Sequence, residues 1–451
     1  DHRTAPAWNI AEIKGAWPEG CSGILLRNGP ALFQRQGETK QHLFDGDGLI
    51  QKWELSTKRI QHRAAWIHTQ KFEREQQEDK FFYPGLASNP ALGRPIRNPD
   101  NLNTANTNLI AWNGALLALW EAGSAHEIEP ERLETLGPKV WSPDTKGAPF
   151  GAHPKVDDRG NLWNIGIAGN KLLIYVIEPN GGLKHVSVHT VRDCAIAHDF
   201  VLTERFLGVW LAPIRLKPDH LIQSDITLLQ AMEWHEREGS QFLLFDRDQF
   251  KLAKTIELDA ELIFHFANAW EEGDSIHMTY VSSSYEQLQN DMLSNANTTQ
   301  KIPHPSQTCL KRIDLKGGIS ETVKCSECVE FPQIDERLRG TASQTVFCLS
   351  QDNTNGRRRF NGIIRYELEG SDPSSWQASE DIELEEHVYT PKDKRNPNEG
   401  GWLVGTGYHT ASQQGFCTVF DADQLKEGPL ATVFLDGPTP ISLHGSFLTD
   451  P

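Results

Sequence analysis

Short hydrophobic runs, each ended by a turn of Gly, Asn, Asp or Pro, follow one another along the whole chain. One run, 162–167, comes directly after Asp-Asp-Arg-Gly-Asn, and the next, 171–177, ends at Glu-Pro-Asn-Gly-Gly. Further strands are predicted over 112–120, 186–191, 241–245, 251–258, 275–281, 345–349, 362–368, 402–406 and 416–420. Strands at a spacing of roughly ten residues predict an all-β sandwich, barrel or propeller.

Two segments have a helical pattern instead. In 224–238, Ile226, Leu229 and Met232 fall on one face of a helix, and 285–296 is a second, more polar candidate. Because both lie between strands, we expect insertions over one face of the β structure, at roughly 213–240 and 284–305. No linker separates two regions of different composition, which favours a single domain over residues 1–451.

Charge and hydropathy exclude two classes of partner. The net charge of −17 argues against nucleic acid, because phosphate binding needs a basic surface. No apolar run approaches the roughly 18 residues of a membrane-spanning helix. No motif implies a protein partner. Whether a targeting segment precedes Asp1 is left open, because the sequence does not begin with Met.

The seven cysteines are odd in number and scattered, which favours a reduced, cytoplasmic protein over a disulfide framework. Cys325 and Cys328 form the one CxxC pair. A zinc site needs two more ligands at matching spacing, and the sequence has no second CxxC. A zinc or redox role for this pair is therefore disfavoured.

Several catalytic signatures are absent from the sequence. It has no phosphate-binding loop, no dinucleotide-binding glycine motif, no GxSxG and no HExxH. The stretch 45–48, Asp-Gly-Asp-Gly, begins like a calcium loop, but Leu49 and Ser56 stand at its fifth and twelfth positions. We interpret it as a tight turn that enters a strand over 49–55.

Four of the seventeen histidines lie next to predicted strands in local contexts unlike the others. They are His153 in Ala-His-Pro-Lys, His198 in Ala-His-Asp-Phe, His265 in Phe-His-Phe-Ala-Asn and His444 in Leu-His-Gly-Ser-Phe. Taken alone, each of these histidines is consistent with a purely structural role. They can converge only where the fold brings strand ends to one axis, as in a propeller.

These four contexts resemble the metal-ligand motifs of the carotenoid cleavage oxygenases. The segments 23–30 (Gly-Ile-Leu-Leu-Arg-Asn-Gly-Pro), 42–48 (His-Leu-Phe-Asp-Gly-Asp-Gly) and 331–335 (Phe-Pro-Gln-Ile-Asp) also match, in the family's order, from about residue 8 to 450. The resemblance implies a seven-bladed β-propeller with a helical or loop dome over one face. It also implies Fe(II) held by His153, His198, His265 and His444. The Ser-Leu before His444 departs from the family's usual Gly-Phe.

The same resemblance implies three glutamates that orient the iron ligands, at Glu121, Glu330 and Glu386. A metal-bound histidine usually donates its other N–H to a carboxylate or carbonyl. The assignment of Glu386 competes with the adjacent Glu385, and His387 stands where the family usually has proline. From composition alone, each would be interpreted as a surface glutamate.

Two further positions follow from the family pattern. Thr107 resembles a threonine near the open coordination position of the iron; without the resemblance it would be a turn residue. Trp120, directly before Glu121, would line a substrate tunnel, the alternative being a core tryptophan. The stilbene-cleaving branch has a lysine there to hold a phenol, so Trp120 favours a polyene.

The resemblance thus implies a soluble Fe(II) dioxygenase that uses O2 to split a conjugated C=C bond of a carotenoid or apocarotenoid into two carbonyl products. The context of Trp120 favours the bacterial apocarotenoid-cleaving branch and the central 15,15′ bond, which gives retinal. An insoluble polyene implies weak peripheral contact with a membrane, for which the moderately apolar stretch 213–234 is the candidate. The alternatives are cleavage of a phenolic stilbene and a propeller that binds a partner without iron.

Overall fold

The computed structural model describes residues 6–40, 42–88, 93–217, 227–285, 307–314, 319–324, 328–343, 345–351, 360–368, 372–393, 395–396 and 399–449. Within these ranges, no helix is both long and apolar enough to cross a membrane. The fold is built almost wholly from antiparallel strands.

The strands are β1 (Ile10–Gly15), β2 (Gly23–Leu32), β3 (Gln34–Arg35), β4 (Glu38–Thr39), β5 (Asp47–Leu55), β6 (Ile60–Trp66), β7 (Asn108–Trp112), β8 (Ala115–Leu119), β9 (His126–Ile128), β10 (Thr135–Pro138), β11 (Lys155–Val156), β12 (Leu162–Ala168), β13 (Lys171–Ile177), β14 (Leu183–Thr190), β15 (Phe200–Leu202), β16 (Phe206–Leu211), β17 (Ile214–Leu216), β18 (Met232–Trp234), β19 (Ser240–Asp246), β20 (Lys251–Leu258), β21 (Leu262–Glu272), β22 (Ser275–Ser283), β23 (Gln307–Asp314), β24 (Ile319–Lys324), β25 (Val329–Gln333), β26 (Thr345–Ser350), β27 (Gly362–Glu367), β28 (Ser374–Gln377), β29 (Ile382–Pro391), β30 (Gly401–His409), β31 (Gln414–Asp421), β32 (Pro429–Leu435) and β33 (His444–Thr449). The helix α1 spans Gln70–Glu78. Short 3-10 helices lie at Leu43–Asp45, Pro99–Asn101, Pro143–Thr145, Glu236–Glu238, Glu336–Leu338 and Leu425–Glu427.

Seven of the sheets are the blades of a propeller, which confirms the predicted fold. Counted from the N-terminus, blade 1 is β33-β2-β5-β6, blade 2 is β7–β10, blade 3 is β11–β14 and blade 4 is β15-β16-β19-β20. Blade 5 is β21–β24, blade 6 is β25–β28, and blade 7 is β29–β32 with β1 at its outer edge. The inner strands β33, β7, β11, β15, β21, β25 and β29 surround the axis, and neighbours such as β33 and β7 contact each other. The strands predicted from turn spacing are all present.

Both ends of the chain close the ring. The last strand, β33, pairs with β2, with His444 opposite Asn28. The first strand, β1, pairs with β32, with Ile13 opposite Val433. Because each terminal strand completes a blade that the other end of the chain began, opening the ring requires breaking two sheets.

The core consists of apolar layers between adjacent blades. Successive residues of a central strand point to opposite faces of the blade. Leu25 packs between blades 1 and 7, whereas Leu26 packs between blades 1 and 2. In blade 4, Val209 faces blade 3 and Trp210 faces blade 5. Burial on both faces explains why these strands are continuously hydrophobic in sequence.

The helix predicted over 224–238 is wrong for the part that the structure describes, 227–238. There the chain makes a turn, the strand β18 paired with β17, and a 3-10 helix. Leu229 and Met232 are buried in the layer between blades 4 and 5, so tertiary packing rather than helical periodicity positions them. Residues 286–296 of the second predicted helix lie outside the described residues.

The sequence interpretation missed α1. Thr69 caps this helix by accepting the N–H of Phe72, and Lys71 pairs with Glu75 one turn later. A capping threonine followed by an oppositely charged pair four residues apart is the signal that indicates this helix.

Candidate metal centre

The four candidate histidines come from four different blades and meet at the axis. His153 and His198 each stand two residues before an inner strand, β11 and β15, whereas His265 lies within β21 and His444 begins β33. Inner strands of a propeller run in one direction, so their corresponding ends gather at one end of the axis. The four ligand atoms all lie within 4.8 Å of one another.

The imidazoles approach through their Nε2 atoms. Nε2 of His153 lies 2.8 Å from that of His198, and Nε2 of His198 lies 3.1 Å from that of His265. His444 completes the cluster, with its ring centre 4.6 Å from that of His153 and the two planes at 88°. Rings at steep mutual angles present separate nitrogens to one shared point.

The three remaining blades supply the three predicted glutamates. Glu121, which follows β8 of blade 2, hydrogen-bonds Nδ1 of His198. Glu330 in β25 of blade 6 lies with Oε2 2.7 Å from Nδ1 of His265. Glu386 in β29 of blade 7 lies with Oε1 2.9 Å from Nδ1 of His444. Every blade therefore contributes one side chain to the centre, and three of the four histidines pair with one of these carboxylates.

The structure separates Glu386 from its neighbour Glu385. Glu385 accepts hydrogen bonds from Thr406 and Ser442, away from the imidazoles. The other oxygen of Glu386 accepts a hydrogen bond from Nη1 of Arg27 at 2.6 Å. Arg27 is fully buried and also donates to Ser442 Oγ and to the carbonyl of Leu443, directly before His444. The sequence analysis gave Arg27 no role; its place in the matched opening segment was the available signal.

Irregular backbone aims these side chains. Strand registers shift between Ile263 and Phe266, between Glu330 and Gln333, and between Leu384 and His387. A bulge interrupts the alternation of a strand and redirects a side chain. At Phe331 the backbone has φ of +54°, so Glu330 reaches His265 while the Phe331 ring also stacks over it at 5.7 Å.

The hydrogen-bond pattern fits a bound cation. His198 and His265 both direct Nδ1 to a carboxylate, so the proton lies on Nδ1 and Nε2 carries a lone pair. Two lone pairs 3.1 Å apart repel each other unless a positive charge lies between them. Nitrogens that bind one metal at about 2.1 Å and at a right angle are about 3 Å apart, which matches this separation.

The charges of the surroundings fit a divalent cation. Burial raises the pKa of the Glu386 carboxyl, but His444 and Arg27 outweigh this and lower it to about 2. The pKa values of Glu121 and Glu330 are also below their ordinary value, because their histidines outweigh the effect of burial. Glu121, Glu330 and Glu386 carry three negative charges, and the guanidinium of Arg27 carries one positive charge. Two negative charges remain uncompensated, and a divalent cation would balance them.

Thr107 and Trp120 are each followed by a residue that contacts a candidate histidine or its loop. Thr107 is buried directly before β7, and its N–H donates to the carbonyl of Leu119. The next residue, Asn108, donates to the carbonyl of Ala152, immediately before His153. Trp120 is partly buried and precedes Glu121. The structure thus brings both positions next to loops that carry the histidines.

Aromatic rings border the cluster on another side. Phe264 lies with its ring centre 5.0 Å from that of His198, and Phe331 lies 5.2 Å from His444. Phe331 in turn contacts Phe360 edge to face. The centre is therefore bounded by apolar rings as well as by carboxylates.

Two other sequence interpretations concern residues away from the centre. Within the proposed membrane-contacting stretch 213–234, Ile214 and Leu229 are core residues, and 218–226 lie outside the described part of the chain. Cys328 is buried, whereas Cys325 lies outside the described residues.

Comparison with known proteins agrees with this geometry. The family model described as retinal pigment epithelial membrane protein matches residues 2–449. Apocarotenoid-15,15′-oxygenase of Synechocystis is 25% identical over 97% of this chain and 92% of its own length. Lignostilbene-α,β-dioxygenase isozyme III of Sphingomonas paucimobilis is 25% identical over 97% of this chain and 93% of its own length.

Solved structures of the Synechocystis apocarotenoid oxygenase superpose closely. A variant with one glutamate changed to glutamine has a TM-score of 0.89 and 25% identity, and the match covers 99% of this chain and 96% of that one. Other solved forms are cobalt-substituted, or have a threonine or a tryptophan changed to alanine. In that protein the tryptophan directly precedes the glutamate, and the threonine stands thirteen residues before the tryptophan. With a family match over nearly the whole chain and the same propeller, this protein belongs to the retinal pigment epithelial membrane protein family of carotenoid cleavage oxygenases.

Proposed function

We propose that this protein is a non-haem Fe(II) dioxygenase that cleaves a conjugated C=C bond of a carotenoid or apocarotenoid. The double bond breaks, each of its carbons gains one oxygen atom from O2, and two carbonyl products leave. The observation that supports this most strongly is the convergence of four imidazole nitrogens, with carboxylates on three of the rings, in a chain of this family.

His153, His198, His265 and His444 are the proposed iron ligands. Imidazole is a suitable ligand for iron, and iron(II), when bound, supplies the binding and activation of O2. Glu121, Glu330 and Glu386 hold three rings with Nε2 facing inward and keep the proton on Nδ1. No general acid or base is assigned, because the reaction transfers no proton to or from a leaving group.

We assign Thr107 to the open side of the centre and Trp120 to the wall of the substrate tunnel. Thr107, Trp120 and Glu121 have the same spacing as the threonine, tryptophan and glutamate substituted in the Synechocystis enzyme. Together with Phe264 and Phe331, the Trp120 ring would give a long polyene an apolar surface beside the iron. The 15,15′ bond, which yields retinal, is the proposed cleavage site, supported by the name of that relative.

A polyene substrate is insoluble in water, so we propose that it enters from a membrane to which the protein binds weakly and peripherally. The candidate stretch contributes the exposed Leu228, while Ile214 and Leu229 serve the core. Peripheral contact of this kind needs only a small apolar surface.

The test is anaerobic reconstitution of metal-free protein with Fe(II), followed by addition of O2 and substrate. β-Apocarotenals, β-carotene and a hydroxystilbene are supplied under the same detergent conditions, and products are separated and identified by mass. We expect apocarotenals to give retinal and the complementary carbonyl fragment. Iron-loaded protein that cleaves none of the three substrates would contradict the proposed activity.

A second candidate is cleavage of a phenolic stilbene on the same fold. The similarity to the lignostilbene dioxygenase favours it. Trp120 argues against it, because its ring offers no charged anchor for a phenolate. The hydroxystilbene arm of the same experiment distinguishes the two substrates. A propeller that binds a partner without iron is the remaining alternative, and iron analysis of protein purified without chelator tests it.

A further inference from the structure

His153 is the one candidate ligand that does not pair with Glu121, Glu330 or Glu386. Two residues beyond it, Lys155 enters a buried ion pair, with Nζ 2.7 Å from Oδ1 of Asp199. The side chains of Lys155 and Asp199 are only 7% and 3% exposed. The partner of Lys155 is thus the residue directly after another ligand, His198.

The same carboxylate also reaches the loop of a third ligand. Oδ2 of Asp199 accepts the backbone N–H of Phe266 at 2.9 Å, and Phe266 directly follows His265. Oδ1 accepts the N–H of Phe200 at 2.7 Å, which fixes the carboxylate against its own strand. One side chain therefore connects blades 3, 4 and 5, and each connection lies within two residues of a histidine.

Other contacts hold Lys155 in place from the same direction. Its backbone belongs to β11, which pairs with β12 opposite Trp163, and its ammonium group lies 5.3 Å from the centre of the Phe200 ring. Because the backbone of Lys155 is held by strand pairing and its ammonium group by Asp199, the backbone before it has little freedom. His153 lies in that backbone.

A buried ion pair is a poor source of net stability, because removing two charges from water costs about as much as their attraction returns. What such a pair does provide is a fixed distance between the segments that carry it. Here those segments carry three of the four imidazoles that must converge on one point.

From this placement we infer that Lys155 and Asp199 are positioning residues, which set the relative positions of His153, His198 and His265 before metal binds. This inference rests on the proposed metal-binding function of the four histidines. It predicts that breaking the pair loosens the cluster and weakens metal affinity by about ten- to a hundredfold, the loss typical of residues that orient ligands.

Cobalt(II) titration of the metal-free protein tests this without relying on catalysis. The variants are Lys155→Met, which removes the cation at similar length, and Asp199→Asn, which loses the charge and keeps an acceptor oxygen for only one of the two backbone N–H groups. The readouts are the dissociation constant for Co(II), the visible absorption bands of bound Co(II) and the thermal midpoint of the metal-free protein. If Lys155→Met does not fold, Asp199→Asn alone carries the test.

Lys71→Met is the matched control. Lys71 also forms a buried ion pair at 2.7 Å, with Asp47, but this pair ties α1 to blade 1. We expect both lysine variants to lower the thermal midpoint, and only those at Lys155 and Asp199 to weaken Co(II) binding and change its bands.

Wild-type affinity and bands in both Lys155→Met and Asp199→Asn would overturn the inference. So would an affinity loss in Lys71→Met as large as that in Lys155→Met, since it would then reflect general destabilisation. If the wild-type protein itself bound no Co(II) or Fe(II), the proposed function would fail first and the inference with it.

Discussion

Glu386 and His444 hydrogen-bond across the boundary between blade 7 and blade 1, with Oε1 2.9 Å from Nδ1. This is also where the propeller closes, because His444 begins the strand that returns to pair with β2. With His444 as a proposed ligand, metal binding would be linked to closure of the ring. Metal that binds only the closed form stabilises the fold by mass action.

Replacing any one of His153, His198, His265 or His444 with Ala is expected to abolish stoichiometric iron binding and turnover. Each histidine supplies one of the four converging nitrogens, so each variant keeps only three nitrogens to hold the metal. Iron content per chain after anaerobic loading is the measurement, and His68→Ala, at a half-exposed histidine, is the control. A variant that kept full iron content and turnover would remove that residue from the ligand set.

Glu330→Gln and Glu386→Gln should each lower iron affinity or activity by about ten- to a hundredfold while the fold persists. The amide still fills the space but no longer accepts as a charged partner of the histidine. Binding isotherms measure the iron affinity, and single-turnover rates measure the activity.

Glu385→Gln provides the sequence-adjacent control for this pair. Glu385 is equally buried, but it faces Thr406 and Ser442 rather than an imidazole. Burial raises the pKa of its carboxyl, and the amide oxygen of glutamine can accept both hydrogen bonds, which end on the same carboxylate oxygen. An affinity loss there as large as in Glu386→Gln would show that the assignment between the two glutamates is mistaken.

The strand pattern predicted a β fold, but the number of blades and their circular order came from resemblance. A continuously hydrophobic strand indicates that both of its faces are buried, as at Leu25 and Leu26, but not which blades lie on either side. Helical periodicity failed at Met232, where packing between blades outweighs local preference. Regular hydrophobic spacing is thus a better guide to sheets than to the insertions between them.

The residues of the centre were predictable only where a local sequence motif marks them. The four histidines and Glu330 stand in recognisable contexts, whereas the choice between Glu385 and Glu386 depends on a bulge in β29 that no propensity reveals. Arg27 and Asp199 act through contacts hundreds or tens of residues away in the chain, so no local signal indicates their partners.

Stability of the metal-free protein should fall as the pH drops from about 6.5 to about 4, partly because of His42. Burial lowers the pKa of this imidazole from 6.5 to about 4, and Asp45 only partly offsets that effect. The unfolded chain therefore binds the proton first, so stability is present above the unfolded pKa and is lost with acid, by up to about 1.4 kcal/mol per pH unit for one group.

Urea unfolding at several pH values measures this slope, and His42→Gln should flatten it. Nδ1 of His42 accepts the N–H of Phe44, and glutamine keeps a neutral polar side chain of similar size at this position. An identical slope in His42→Gln and wild type would assign the acid sensitivity to other groups.

The choice of substrate class depends on Trp120. If the Trp120 ring lines the tunnel as proposed, it adds contact area along a long polyene, whose burial is worth about 0.8 kcal/mol per CH2-sized unit, so no ionic anchor is needed. A two-ring stilbene has far fewer such units and would depend on a cation that this position lacks. We expect apocarotenals to be cleaved and hydroxystilbenes to be poor substrates or inert.

Trp120→Ala should raise KM for the polyene, and Trp120→Lys should not restore the wild-type KM. Steady-state rates under one detergent condition decide the matter: faster turnover of a hydroxystilbene than of every apocarotenal would reverse the assignment, and a product other than retinal would move the cleaved bond while leaving the iron site intact.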